Sequence, residues 1–445
     1  HDRHEREAEV DDAHLLREEA RELARAEQVV LLRPRLAGEV VRAVRGVALD
    51  AVAAWKEALL ATALALVLWR HRGIPFKATA ADWLAFAFAG TVVLYALIPQ
   101  SWLGGEATTE GVVLGVRHHL TPVAAYVLGR SLHFGREELR RIGLLLLGAA
   151  TAVAAWGLVD VYLVPLDIWR ESGVPGWYRE QLGLEYRGLS GLPENFVYNP
   201  GDERPLRRLV STFLSPLATA YMLLAALLLA ATWVRSRLVS AAMVVLLVGL
   251  LFTYSRTSIA ALALGLVVLA YALRSWWPVA AAVVLVVTGA FFVRAYLEIG
   301  PETRYTPAEL EIQREGGQQN PTSGDPFSPE ESSVASHWDS LRGGAETIAR
   351  QPWGYGVGNA GVTALRTSGE VKAGESTYAE LGVDLGLLGL LAFVGWTLAL
   401  LRRVLHAAPW LGATLAAVLV LGLQTDVLGV HWLAFVLFTL AGERA

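Results

Sequence analysis

From Ala51 onward the chain alternates apolar runs of roughly 15 to 23 residues with short polar breaks, the length an α-helix needs to cross a hydrocarbon core of ~30 Å. Backbone in lipid must satisfy its own hydrogen bonds, so such runs can be helices and little else. They fall near 52–69, 81–98, 112–129, 142–164, 213–233, 238–254, 257–273, 278–296, 381–400, 409–423 and 430–441. The stretch Leu238–Arg274 sharpens the constraint: as one helix at 1.5 Å per residue it would be ~55 Å long, nearly twice the core. It must fold back, and TYSRTS (Thr253–Ser258) is its only polar place to turn. The composition agrees, with 54% of 445 residues hydrophobic and 18% charged. The expected fold class is all-α, a polytopic membrane protein with about 11–12 transmembrane helices and a large extracytoplasmic loop containing amphipathic helices.

The organisation follows. Residues 1–50 are a charged amphipathic segment, dense in Arg and Glu; the chain begins at His1 rather than Met, which reads as the start of a fragment. Residues 51–296 carry transmembrane helices with a polar loop at 166–212, residues 297–380 form a second, larger loop, and 381–445 hold the last helices. Arg70, Arg72, Lys77, Arg130, Arg136, Arg140, Arg141, Arg235, Arg237, Arg274, Arg402 and Arg403 fall on alternate breaks, which the positive-inside rule makes cytoplasmic. Both long loops then face outward, and the C-terminus is cytoplasmic. A net charge of −4 argues against nucleic acid, and the absence of cysteine excludes disulfides, thiolate metal sites and Cys nucleophiles.

Several charges stand where a membrane protein rarely places them. Arg117, with His118 and His119, lies inside the span that begins at Gly111; Arg207 and Arg208 precede the span opening STFLSPLATAYMLL; Arg256 occupies the TYSRTS hairpin. Each arginine alone reads equally as a snorkelling side chain, but all sit at outer helix ends and together suggest an anion site. Guanidinium groups suit phosphate because their planar fork donates paired hydrogen bonds and keeps its charge. A polyprenyl diphosphate, with its tail in lipid and its charge at the rim, is the matching anion.

Beyond the loop, the stretch His337–Leu390 (HWDSLRGGAETIARQPWGYGVGNAG, then GESTYAELGVDLGLLGL) starts as an amphipathic helix and passes a Gly-rich turn. It brings Glu375, Ser376 and Tyr378 to the edge of an apolar run. The glycines allow close backbone approach to sugar or phosphate, or simply stop the helix. Thr306–Ser333, rich in Pro, Gln and Ser, reads as a mobile flap or insertion. Trp169, Trp177, Tyr178 and Tyr186 suit either sugar stacking or an interfacial aromatic belt. No DxD-like pair, HExxH, Walker A or Rossmann fingerprint occurs. His118 and His119 are ~100° apart on a helix and cannot hold one ion from a common face, so neither metal nor cofactor is expected.

The ordered set RLVSTFLSPLATA, TYSRTSIAALALG, SHWDSLRGGAETIARQPWGYGVGN and GESTYAELGVDLGLLG resembles the O-antigen ligase and O-antigen polymerase superfamily of bacterial envelope glycosyltransferases, over roughly Trp55 to the C-terminus. The resemblance implies a metal-independent, inverting transfer of a glycan from undecaprenyl diphosphate to an acceptor hydroxyl, in the bacterial cytoplasmic membrane with the site facing outward. It implies that Arg117, Arg208 and Arg256 grip the donor diphosphate. Ligases of this family usually open the last motif with His, whereas Glu375 stands here. Glu375 is the candidate base, with helix capping as its other reading, and His337 is the rival base. Tyr378, Ser376, Trp338 and Arg207 are candidate acceptor or sugar contacts. The expected partners are the lipid-linked glycan, a glycan or lipid acceptor and the bilayer, with oligomeric state left open. Two other functions fit the same charges: a transporter or flippase of lipid-linked glycans, and a non-catalytic subunit of polysaccharide assembly.

Overall fold

The computed structural model describes residues 55–200, 204–233, 236–315, 326–328, 332–367, 371–374 and 376–445. The N-terminal segment expected at 1–50 and Glu375 lie outside the described residues. In chain order the helices are α1 (Trp55–His71), α2 (Ala80–Leu97), α3 (Gln100–Leu103), α4 (Thr109–Arg130), α5 (Arg136–Leu163), α6 (Leu166–Glu171), α7 (Val174–Gln181), α8 (Pro216–Ala231), α9 (Arg237–Phe252), α10 (Arg256–Leu273), α11 (Trp277–Ile299), α12 (Pro307–Glu315), α13 (Ser332–Arg350), α14 (Gly361–Arg366), α15 (Thr377–Ala407), α16 (Pro409–Leu421) and α17 (Phe438–Arg444). Two short strands, β1 (Val197–Tyr198) and β2 (Leu206–Arg207), pair antiparallel.

The chain is an all-α polytopic membrane protein, and among the described residues each apolar run carries a helix. Among the described residues α2, α5, α10, α11 and α15 are long and apolar enough to cross a membrane, while α8, α9 and α16 are apolar but shorter. The 13 residues of α16 reach only ~20 Å along the helix axis. The remaining depth on such helices falls to loops, a distinction that apolar length alone does not draw. Val283, Val284, Val287 and Phe291 on α11 are exposed, as a lipid-facing side requires.

The fold-back expected within Leu238–Arg274 occurs at the anticipated place. Helix α9 ends at Phe252 and α10 starts at Arg256, with Tyr254 in the left-handed region (φ 51°). Ser255 caps α10 by accepting from the Ser258 amide.

Apolar packing holds the helices together around Trp396, Tyr126, Phe88 and Phe393, all fully buried. The Tyr126 and Trp396 rings meet edge to face with centroids 5.5 Å apart. At one end of this core the Asp82 carboxylate accepts from Tyr126 Oη at 2.7 Å and Arg130 Nε at 2.9 Å, fastening α2 to α4. Arg130, a topology marker in sequence, is therefore also half of a buried ion pair.

The two long polar segments join each other. Glu309 accepts from Arg170 Nε at 2.9 Å, from Ser190 Oγ at 2.6 Å and from the Thr306 amide at 2.8 Å. For residues 306–315 this corrects the expectation of a mobile flap over Thr306–Ser333, whose residues 316–325 and 329–331 lie outside the described residues. Residues 307–315 form α12, begun by a capping box in which Thr306 and Glu309 bond reciprocally. Beneath this union lies a small apolar core of Leu166, Leu189, Leu192, Phe196, Val197 and Val210.

One helix is broken. At Gly386 (φ 64°, ψ −171°) α15 leaves helical geometry, freeing backbone groups that the Gly-rich turn takes up. The Tyr355 amide donates to Val383 O at 2.7 Å, the Gly356 amide to Asp384 O at 3.1 Å, and the Leu387 amide to Pro352 O at 2.7 Å. Non-helical backbone at this depth persists because protein groups satisfy it. A Cβ on Gly386 would stand 2.6 Å from Pro352 O. Gly386→Ala therefore combines left-handed strain with a collision, and thermal unfolding in detergent should show a loss of at least ~1–3 kcal/mol relative to wild type.

Candidate functional site

A cavity of about 1020 Å³ opens where the polar segments meet the helix ends. Its lining includes Arg208, Arg256, His337 and Trp338, together with Tyr198, Tyr254, Asn195, Asn199, Gln424 and Thr425. Stretches far apart in sequence thus meet: the approach to α8, the α9–α10 hairpin, the first turns of α13 and the loop after α16.

Local backbone geometry separates the two adjacent arginines, because successive residues of an extended segment point to opposite sides. Arg207 turns inward, donating from Nη1 to Val164 O at 2.9 Å and from Nη2 to Asp160 Oδ2 at 3.3 Å. Asp160 also accepts from Trp169 Nε1 at 2.7 Å. Arg208 turns to the cavity, with its amide held by Phe196 O at 2.9 Å and its Nε donating to Thr253 O at 3.0 Å. Burial pushes the Arg208 guanidinium down to about 10, and the neighbouring Arg256 cation adds to this against the opposing hydroxyls of Tyr296, Tyr254 and Tyr198. It stays charged at neutral pH in a place that disfavours charge, which is the setting in which an anion gains most. Arg256 donates from Nη1 to Pro326 O. Tyr254 stacks on Tyr296 with centroids 4.6 Å apart and gives this wall a rigid aromatic face.

A second polar cluster lies among α4, α15 and the loop after α16. The Asp384 carboxylate accepts from the amides of Gly358 at 3.0 Å and Asn359 at 2.9 Å, and His119 Nε2 stands 3.0 Å from its Oδ2. Asn359 Nδ2 donates to Gln100 Oε1 at 2.7 Å, and the Glu106 amide donates to Asn359 Oδ1 at 2.7 Å. The glycines of this turn serve protein packing. A Cβ on Gly358 would stand 2.5 Å from Gly111 O, and one on Gly356 would stand 2.6 Å from Gln100 Oε1. His118 faces Asp426 at 3.4 Å and Glu380 at 4.0 Å. Burial would raise the Asp426 carboxyl, but His118 and the amides of Gly429 and Leu428 hold it below the usual carboxylate range.

Of the residues singled out from sequence, Arg208, Arg256, His337 and Trp338 come together around the cavity. Arg117 does not line it; its Nη2 lies 3.3 Å from His431 Nε2. Ser376 caps α15 and donates to Gly422 O at 3.1 Å, and Tyr378 donates to Leu419 O at 2.7 Å, so both hydroxyls hold α15 against the end of α16. Trp177, Tyr178 and Tyr186 pack on one another, with centroids 5.1 and 5.4 Å apart. Sequence reasoning passed over Glu380, Asp384 and Asp426 as site residues. The available signal was the pair Glu380 and Asp384, acids four apart in an apolar run and therefore on one helix face.

Residues 241–394 match the protein-family model described as O-antigen ligase. That segment, about a third of the chain, is what links it to the O-antigen ligase family. A search among curated proteins finds no match. The match supports, at family level, a membrane glycan-transferring function. It takes in α10 with Arg256, α13 with His337 and Trp338, the Gly-rich turn and the first part of α15 with its break, whereas Arg208 and Asp426 lie outside it.

The two neighbouring arginines predict opposite phenotypes. Arg207→Ala leaves Asp160 buried without its cation and should cost about 3–5 kcal/mol in unfolding experiments. Arg208→Ala removes a half-buried cation without stranding a partner carboxylate and should leave the unfolding midpoint near wild type.

Proposed function

We propose that the protein transfers a glycan from a polyprenyl diphosphate donor to an acceptor hydroxyl, with inversion at the anomeric carbon and no metal in the reacting cavity. The observation that carries this reading is the meeting of Arg208 and Arg256 with His337 and Trp338 around one cavity. In a single displacement the acceptor oxygen attacks C1 of the donor sugar as the bond to the diphosphate breaks. The acceptor proton passes to a base, and the negative charge leaves on polyprenyl diphosphate. Guanidinium groups fixed beside the leaving diphosphate stabilise that growing charge without reorganising. The proposed setting is the bacterial cytoplasmic membrane, with the cavity on its outer face.

Glu375 is assigned as the base, at the position next to the α15 cap Ser376. A second reading assigns His337, and its place on the cavity wall beside the arginines favours it. Transfer from a polyprenyl diphosphate-linked glycan in proteoliposomes tests both. Arg208→Ala and Arg256→Ala should each lower kcat/KM by ~10²–10³, and replacing the true base, by Glu375→Gln or His337→Gln, should lower it by ~10²–10⁴. Wild-type rates in both arginine variants would sink the proposal.

A further inference from the structure

His118, Glu380 and Asp426 converge from three elements: the middle of α4, the first turn of α15 and the loop that follows α16. We propose that these three side chains bind one divalent transition-metal ion of the zinc or manganese class. Their donor atoms all lie within 4.8 Å of one another. His118 Nε2 is 3.4 Å from Asp426 Oδ1 and 4.0 Å from Glu380 Oε2. Metal–ligand bonds of ~2.0–2.2 Å in tetrahedral geometry place donors ~3.3–3.6 Å apart, so the His118–Asp426 pair already fits and the carboxylates must draw in by at most about 1 Å, within the reach of side-chain rotation. One imidazole with two carboxylates is a donor set for zinc or manganese rather than calcium or magnesium, which take oxygen alone.

The surrounding residues hold each donor in place, as outer partners of a metal site do. Asp426 accepts from the amides of Leu428 and Gly429, each at 3.0 Å. The Glu380 carboxyl lies against Gly361, where a Cβ would come within 2.2 Å of it. The His118 ring rests edge to face on His119, centroids 5.0 Å apart, and His119 is itself set by Asp384. The two adjacent histidines serve different partners, as their angular separation on a helix demands. The side chains of His118, Glu380 and Asp426 are only 15%, 7% and 11% exposed.

None of the three donors lines the cavity, but Gln424 and Thr425, which immediately precede Asp426, do. The ion would therefore fix one wall of the cavity to α4 and α15 without entering the reaction.

Metal content tests this without any substrate, so its outcome is separate from that of the glycan-transfer proposal. The purified full chain in detergent, stripped with a chelator, is loaded with Zn²⁺ or Mn²⁺ alone, dialysed and assayed by mass spectrometry. About one ion per chain should remain on wild type and on the control Glu346→Gln, whose carboxylate is exposed. His118→Gln, Glu380→Gln and Asp426→Asn should each weaken affinity by at least ~100-fold. Should these variants fold poorly, anomalous scattering from the loaded wild type at the metal edge decides, with a peak expected among the three side chains. Wild type retaining less than a tenth of an ion, a peak elsewhere, or undiminished binding in all three variants would overturn the site.

Discussion

The loop-bearing end of this molecule depends on one carboxylate. Asp384 sits in an apolar helix, yet it is satisfied by two amides of the Gly-rich turn and lies beside His119. A buried carboxylate without such partners would be prohibitive, so the turn, α4 and α15 are held in one arrangement. The break at Gly386 belongs to the same constraint. It releases the Val383 and Asp384 carbonyls for the turn, and in exchange the Leu387 amide donates to the Pro352 carbonyl. Through this joint α13 is anchored at its C-terminal end while its first turns, with His337 and Trp338, reach the cavity.

Charge in this fold is divided between fastening and reception. Arg130 with Asp82, Arg170 with Glu309 and Arg207 with Asp160 are ion pairs that tie elements together. Arg208 instead donates from Nε to a backbone carbonyl and, with Arg256, lines open volume. Adjacent residues of one extended segment can thus serve opposite ends. The short β-pairing and the hairpin after α9 fix which arginine faces which way.

Much of the architecture was legible in the sequence because lipid imposes a simple rule on backbone. Apolar runs became helices, and the overlong stretch Leu238–Arg274 broke at its polar hairpin, since length against bilayer thickness leaves little choice. Arg208, Arg256 and His337 were legible as charged or titratable groups at helix ends. Arg207 was not separable from Arg208, because the distinction lies in alternation along an extended segment whose partner, Asp160, is 47 positions away. The role of the Gly-rich turn was equally hidden: its glycines meet Gly111, Gln100 and Gly386, contacts that exist only after folding. Residues 306–309 carried a capping-box signal that the surrounding polar composition masked.

The central claim is that the cavity at this end receives a lipid diphosphate through Arg208 and Arg256. Equilibrium binding of polyprenyl diphosphate and polyprenyl monophosphate to the protein in nanodiscs measures it most directly. The diphosphate should bind at least ~10-fold more tightly than the monophosphate, and the double variant Arg208→Ala/Arg256→Ala should erase that preference. Equal affinity for the diphosphate in wild type and double variant would contradict the account.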